Sequence, residues 1–233
     1  MLGFILPTTV LISRPKGDAE TLKQAILSID RSVQVVLAPA IEIVPVTYDL
    51  QDEAFDALLL TSKHAASAAA VIAPDLPTLC VGDATALAAS ALGLNAVSAV
   101  GNAQDLIALV QKSAVSKVLY LRGAHVHLDL ENALNSTGIE TKSLIVYQQH
   151  ACAFLPQVQQ DISKVTSLLV PVYSARSAQI VSKNLDGFKG QVTLVAISKA
   201  AAMGWFGAAP HHISYAEAPN SEAMLAAIAS QLA

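Results

Sequence analysis

Hydroxyl and guanidinium groups recur at the ends of apolar runs in this sequence. The stretch "LLLTSKHAASA" closes its apolar run on Thr61, Ser62 and Lys63, and "PVYSARSAQIV" closes its own on Tyr173, Ser174, Ala175 and Arg176. A helix-like run of small residues follows each. A hydroxyl in that place is first of all a helix N-cap, its oxygen taking a backbone N–H of the first turn. The neighbouring N–H groups then point outward and can hold an anion, so capping and carboxylate binding coexist. We expect an anion to bind at both sites, with Lys63 and Arg176 either reaching the ligand or simply solvated. Arg14 in "VLISRP" and Arg122 in "VLYLRG" end two more apolar runs. A guanidinium there either grips a carboxylate through two N–H donors or makes a surface ion pair. His125 and His127 lack a third ligand, which argues against a metal. His211, His212 and Trp205 read as surface and packing residues. No GxGxxG or P-loop follows any apolar run, so a dinucleotide or nucleoside triphosphate is not expected.

The elements that position these groups alternate regularly. "TTVLIS", "DALLLT", "TLCVG", "KVLYLR", "SLLVPVYS" and "VTLVAIS" are each followed by a helix-like stretch. Six strand-then-helix units predict a parallel α/β architecture. Gly93 and Gly138 stand where helix-ending glycines belong.

The units also repeat. After "LLLTSKHAASA" come "CVGDATA" and "GNAQDLIALV"; after "PVYSARSAQIV" come "VAISKAAA" and "PNSEAMLAAI", which aligns Asn102 with Asn220. The arginine unit follows the first series but opens the chain for the second. The economical topology is therefore two similar flavodoxin-like parallel-sheet domains. One is assembled from residues 1–37 and 151–233, and the other is continuous over 40–146. Extended linkers at about 37–42 and 146–151 would pair as a two-stranded connection. "SLIVYQQHAC", which leaves an apolar strand without any turn residue, fits the second crossing. Ligands of open α/β sheets bind beyond the carboxyl ends of the strands, which here implies a cleft shared by the domains.

Composition narrows the function classes. With 53% hydrophobic and 14% charged residues among 233, the chain can bury a core. No apolar run reaches the length of a membrane span. A net charge of −4 and a pI near 5.8 give no basic stripe for nucleic acid or anionic membrane. Arg14 and Lys16 follow the apolar N-terminal stretch rather than precede it, the wrong order for an export signal. Cys80 and Cys152 lie far apart, with neither disulfide nor zinc spacing. A soluble protein of the reducing cytoplasm is expected.

Taken in order, "LISRP", "LLLTS", "VGDATA", "GNAQDL", "LYLRG", "LIVYQQ", "VYSARS" and the "VAISKAAA" region resemble the uroporphyrinogen-III synthase family across essentially the whole chain. The resemblance implies a monomeric cyclising hydro-lyase with no metal and no organic cofactor. Its substrate would be the linear octacarboxylate hydroxymethylbilane, handed over transiently by hydroxymethylbilane synthase. Loss of hydroxide would give an azafulvene, attacked by the substituted carbon of the terminal ring; a spiro intermediate would reclose with ring D inverted. Most of that task is positioning. Tyr147 matches the tyrosine of the family's "VYQ" motif. That makes it the candidate proton donor to the leaving hydroxyl, or else a strand aromatic packed at the hinge. Gly82 and Thr85 match the family's glycine turn and helix-start threonine. The second copy departs from that pattern, with Ser198 for the glycine and Ala201 for the threonine, leaving Ser198 and the Lys199 backbone as substitutes. Two alternatives stay open. One is a two-domain protein that binds a small anion without chemistry; the other is a degenerate regulatory member of the fold.

Overall fold

The computed structural model describes residues 9–50, 53–125 and 128–232; His127 lies outside them. In chain order the elements begin with β1 (Thr9–Ile12), α1 (Lys16–Ile29), β2 (Gln34–Leu37) and β3 (Ile41–Pro45). Then come β4 (Ala57–Leu60), a 3₁₀ turn (Lys63–Ala65), α2 (Ala66–Ile72), β5 (Thr78–Cys80), α3 (Asp83–Ser90) and β6 (Ala96–Ser98). The middle of the chain forms α4 (Ala103–Lys112), β7 (Lys117–Gly123), α5 (Leu130–Asn135) and β8 (Glu140–Ala151). The remainder forms α6 (Pro156–Ile162), β9 (Ser167–Val172), α7 (Ala175–Asn184), β10 (Gln191–Ala196), α8 (Lys199–Ala202), β11 (His212–Tyr215) and α9 (Ser221–Ala229).

Two compact units result. The first comprises Met1–Glu42 with His150–Ala233, and the second Ile43–Gln149. The first holds a five-stranded sheet ordered β2-β1-β9-β10-β11, parallel throughout. In the second, β8-β7-β4-β5-β6 run parallel and β3 lies beside β8. Equating β1 with β7, β2 with β8, β9 with β4, β10 with β5 and β11 with β6 makes the two orders identical. Both are then the 2-1-3-4-5 order of flavodoxin-like sheets, and the second is a circular permutation of the first.

The central strands are the ones with unbroken apolar sequence. "TVLI" of β1 and "ALLL" of β4 are buried at every position, as strands covered by helices on both faces must be. Helix α1 turns Ala19, Leu22 and Ile26 inward, a helical spacing. Pro171 sits inside β9, although proline lacks the N–H that a central strand donates. It is accommodated because the β1–β9 pairing ends at Leu169, before the register reaches it. Gly93 and Gly138 both take φ 85°, the left-handed backbone expected of them.

The chain passes between the units in β3 and in β8. Cys152 N–H donates to Ala40 O at 2.9 Å, and Val46 N–H to Val146 O at 3.2 Å. Moving forward along one strand corresponds to moving back by the same number along the other, so this ladder is antiparallel.

The amino-terminal ends of the second unit's strands are held by charge. Asp56 accepts the Ser116 and Lys117 backbone N–H groups at 2.8 and 2.9 Å and the Ser116 hydroxyl at 2.9 Å. Glu53 bridges Lys117 and Lys142 at 2.5 and 2.8 Å. The Ser116 and Lys117 N–H groups hold the Asp56 carboxyl below its ordinary range, and the Lys117 and Lys142 bonds do the same for Glu53. A lowered folded-state pKa contributes stability above the unfolded value, near 4, and that contribution is lost as pH falls through the folded value. Asp56→Asn should therefore lower Tm at pH 7 and flatten the fall in Tm between about pH 5 and 3. Thermal melts across that range test it; an unchanged slope would show that the aspartate carries none of the acid sensitivity.

Candidate active site

In the second unit the sheet order reverses between β4 and β7, and the polar groups gather at the carboxyl ends of those strands. Leu60, the last residue of β4, pairs with Leu121, which brings the residue after it, Thr61, level with the end of β7. Thr61 Oγ1 and the Tyr120 hydroxyl lie 2.9 Å apart, a bond that ties the two strand ends. Tyr120 is buried, and burial pushes its phenol upward against the opposing Thr61 bond and Arg122 charge. Ser62 follows in extended backbone, and its Oγ accepts the His64 N–H at 3.3 Å, capping the 3₁₀ turn that carries Lys63 and His64. The Arg122 guanidinium donates to Gly123 O at 3.1 Å.

Tyr147 reaches this edge through a bulge. Arg122 pairs with Ile145 but Gly123 pairs with Tyr147, so Val146 is an extra residue on β8. Val146 and Tyr147 are consequently both buried in the same apolar cluster, where a regular strand would send neighbours to opposite faces. The Tyr147 ring lies on Gly123. A Cβ built there would stand 2.6 Å from ring Cζ and 2.9 Å from the hydroxyl oxygen, so only glycine admits the ring. His64 meets the ring edge-on, with centroids 5.7 Å apart and planes at 66°. Ala124 N–H donates to Tyr147 O at 3.0 Å and fixes the backbone.

Beside these, Gly82 caps α3 in extended backbone (φ −157°, ψ 171°). Thr85 is buried in the first turn, its N–H donating to Gly82 O at 3.0 Å. Cys80, which ends β5, has its thiol pushed up to about 11 by burial and is no nucleophile at neutral pH.

The first unit repeats the arrangement at the carboxyl ends of β1 and β9, with different bonds. Arg14 pairs with Asp18 at 2.8 Å, and its guanidinium carbon lies 4.1 Å from the Tyr173 ring centroid. This half-buried arginine is thus held over an aromatic face, with Asp18 as its ion-pair partner. Burial raises the Tyr173 phenol, and the Arg14 charge opposes the rise. Ser174 and Ser177 form a reciprocal capping box on α7, and Ala175 begins the helix, exposed. Gly204 lets the end of α8 pack on the Ala175 backbone. Ser198 Oγ accepts the Ala201 N–H at 3.2 Å, and Lys199 is exposed. The backbone at Ser198 (φ −162°, ψ 164°) closely matches that of Gly82. Any residue adopts it, so serine in place of the expected glycine needs no compensating change in the backbone.

Thr61, Ser62, Lys63, Gly82, Thr85, Arg122 and Tyr147 all belong to the second unit; Arg14, Tyr173, Ser174, Ala175, Ser198 and Lys199 belong to the first. Sequence reasoning missed Tyr120, Gly123 and His64. Tyr120 reads as one more core residue of an apolar strand, and Gly123 as a loop residue after an arginine. His64 stands directly after the singled-out Thr61-Ser62-Lys63 series, the one available signal. His125 is exposed, and no group of three His, Cys, Asp or Glu side chains converges among the described residues. No helix among them is long and apolar enough to cross a membrane.

The family model described as Uroporphyrinogen-III synthase HemD matches residues 20–226. No curated protein matches the chain. Among solved structures, uroporphyrinogen-III synthetase from Helicobacter pylori is similar at 17% identity and a TM-score of 0.64, covering 97% of this chain and 100% of that one. A mutant uroporphyrinogen III synthase from Thermus thermophilus is similar at 16% identity and a TM-score of 0.50, covering 96% and 99%. At these identities the likeness establishes a shared fold.

Proposed function

This chain belongs to the uroporphyrinogen-III synthase family, and from that premise we propose that it closes hydroxymethylbilane into uroporphyrinogen III with inversion of the last pyrrole. The family match over residues 20–226 carries the reading. The Tyr147 phenol, seated between Gly123 and His64 at the reversal point of the second sheet, donates its proton to the leaving hydroxyl, which departs as water. The proton shed by the ring carbon that finally bonds restores the phenol. Substrate carboxylates are taken by Arg14, Arg122 and the backbone N–H groups at the capped helix starts after Ser62, Gly82, Ser174 and Ser198. The side-chain oxygens of Ser62, Ser174 and Ser198 are occupied as caps, so their part is to orient those N–H groups. The electron-rich pyrroles expel hydroxide readily, so holding the chain of four rings in a coil that favours the spiro path is the larger contribution. The enzyme acts as a cytoplasmic monomer that receives its substrate from hydroxymethylbilane synthase. The test supplies hydroxymethylbilane generated in situ and separates the products by isomer. Isomer III is expected; isomer I alone would sink the proposal, and tight binding without turnover would make the protein an anion binder.

A further inference from the structure

Val100 is the non-glycine residue with positive φ among the described residues, at 54°. That left-handed backbone suits glycine or asparagine and opposes a β-branched side chain. Packing offers no compensation: the residue is 74% exposed and joins none of the apolar clusters.

The surrounding loop explains the backbone without explaining the valine. Ala99 N–H donates to Cys80 O at 2.8 Å, Gly101 N–H to Val81 O at 3.2 Å, and Asn102 caps α4. These bonds stitch the end of β6 to the turn that carries Gly82; a Cβ on Gly82 would lie 3.8 Å from Gly101 O. The first unit makes the same connection from β11 to α9. Ala216 N–H donates to Ala196 O at 3.0 Å, and Asn220 caps the helix. That connection is one residue longer, contains Pro219, and has no left-handed non-glycine residue. A left-handed residue at 100 thus serves the shorter connection, and glycine would supply it without strain. Strain of this kind collects where a side chain is needed for function.

We propose that Val100 is a substrate-contacting residue, its isopropyl group covering the apolar face of one pyrrole at the carboxyl edge of the second sheet. The inference rests on the proposed tetrapyrrole substrate. Between its carboxylate arms that molecule presents flat rings and methylene bridges, which contacts made to the carboxylates leave uncovered. An exposed branched apolar group beside the Gly82 turn supplies the missing complement.

Val100→Gly and Val100→Asn both accept the left-handed backbone while removing the apolar group. Both should raise Tm, by about 2–4 °C, and raise KM for hydroxymethylbilane about tenfold, with a smaller change in kcat. Val100→Ile should keep a KM near that of the wild type. Wild-type protein that forms isomer III, together with glycine and asparagine variants of unchanged KM, would overturn this proposal alone. Variants that fail to gain Tm would overturn it as well, by removing its premise of strain. Wild-type protein that forms only isomer I would overturn both this proposal and the function on which it rests.

Discussion

Gly123→Ala is expected to lower kcat for ring closure about 10- to 100-fold and to destabilise the second unit by about 1–3 kcal/mol, a Tm loss of several degrees. The new methyl would stand 2.6–2.9 Å from Tyr147 ring Cζ, Cε2 and hydroxyl oxygen. The colliding atoms are the far end of a side chain, but this end is not free to swing. Tyr147 is 7% exposed, wedged into the cluster that includes Leu119, Leu121, Ala65 and Val146, with His64 across its edge. Either the ring moves, carrying the phenol away from its seat, or β7 shifts and loosens its pairing with β8 at the Val146 bulge. A displacement of about 1 Å at a reacting group can cost 10²-fold in rate. Thermal melts and steady-state kinetics check the two parts separately. Loss of Tm with full activity would show that the position of the phenol does not matter to the reaction.

The role of Gly123 also marks where the sequence stops being readable. Alternating strands and helices, and the displaced arginine unit, suffice to infer two parallel-sheet folds related by permutation, because burial of β1, β4 and β9 on both faces writes itself as continuous apolar runs. Asn102 and Asn220 align as caps because N-capping is a local interaction between a side chain and the turn that follows. The bulge at Val146 is not local. It depends on the register of β8 against β7, and nothing in "LIVYQQ" states that Val146 and Tyr147 will both face inward. The absence of a turn residue after that strand is accounted for by a twelve-residue β8 that runs on into the first unit. The stacking of Arg14 on Tyr173 is similarly hidden, since it joins residues far apart in the chain. Both arginines end equivalent strands, yet Arg14 is held by Asp18 and Tyr173, while Arg122 donates to the backbone of its neighbour. Repetition in sequence therefore preserves position more faithfully than it preserves bonding.

Tyr147→Phe should leave the fold intact and slow the chemistry. The ring that fills the space between Gly123 and His64 is retained, so Tm should shift by no more than a few degrees. Removing a positioned general acid costs about 10²- to 10⁴-fold in rate. The loss here should lie near the bottom of that range, about 10²-fold, because hydroxide leaves an electron-rich pyrrolylmethyl position with water alone as donor. Product geometry gives a second readout. If inversion follows from the shape in which the four rings are held, the variant should still release isomer III, more slowly. A switch to isomer I would instead assign Tyr147 to holding the coil, and unchanged turnover would remove its acid role. The two substitutions also test one another. If the Tyr147 phenol is the proton donor, Gly123→Ala acts on the reaction by displacing it, so on the Tyr147→Phe background, where no phenol remains, it should cost less than about threefold in further activity. Its cost in Tm should persist, because the phenylalanine ring still meets the added methyl. Fully additive rate losses would mean that Gly123 shapes the carboxyl edge of β7 in some way independent of the tyrosine it touches.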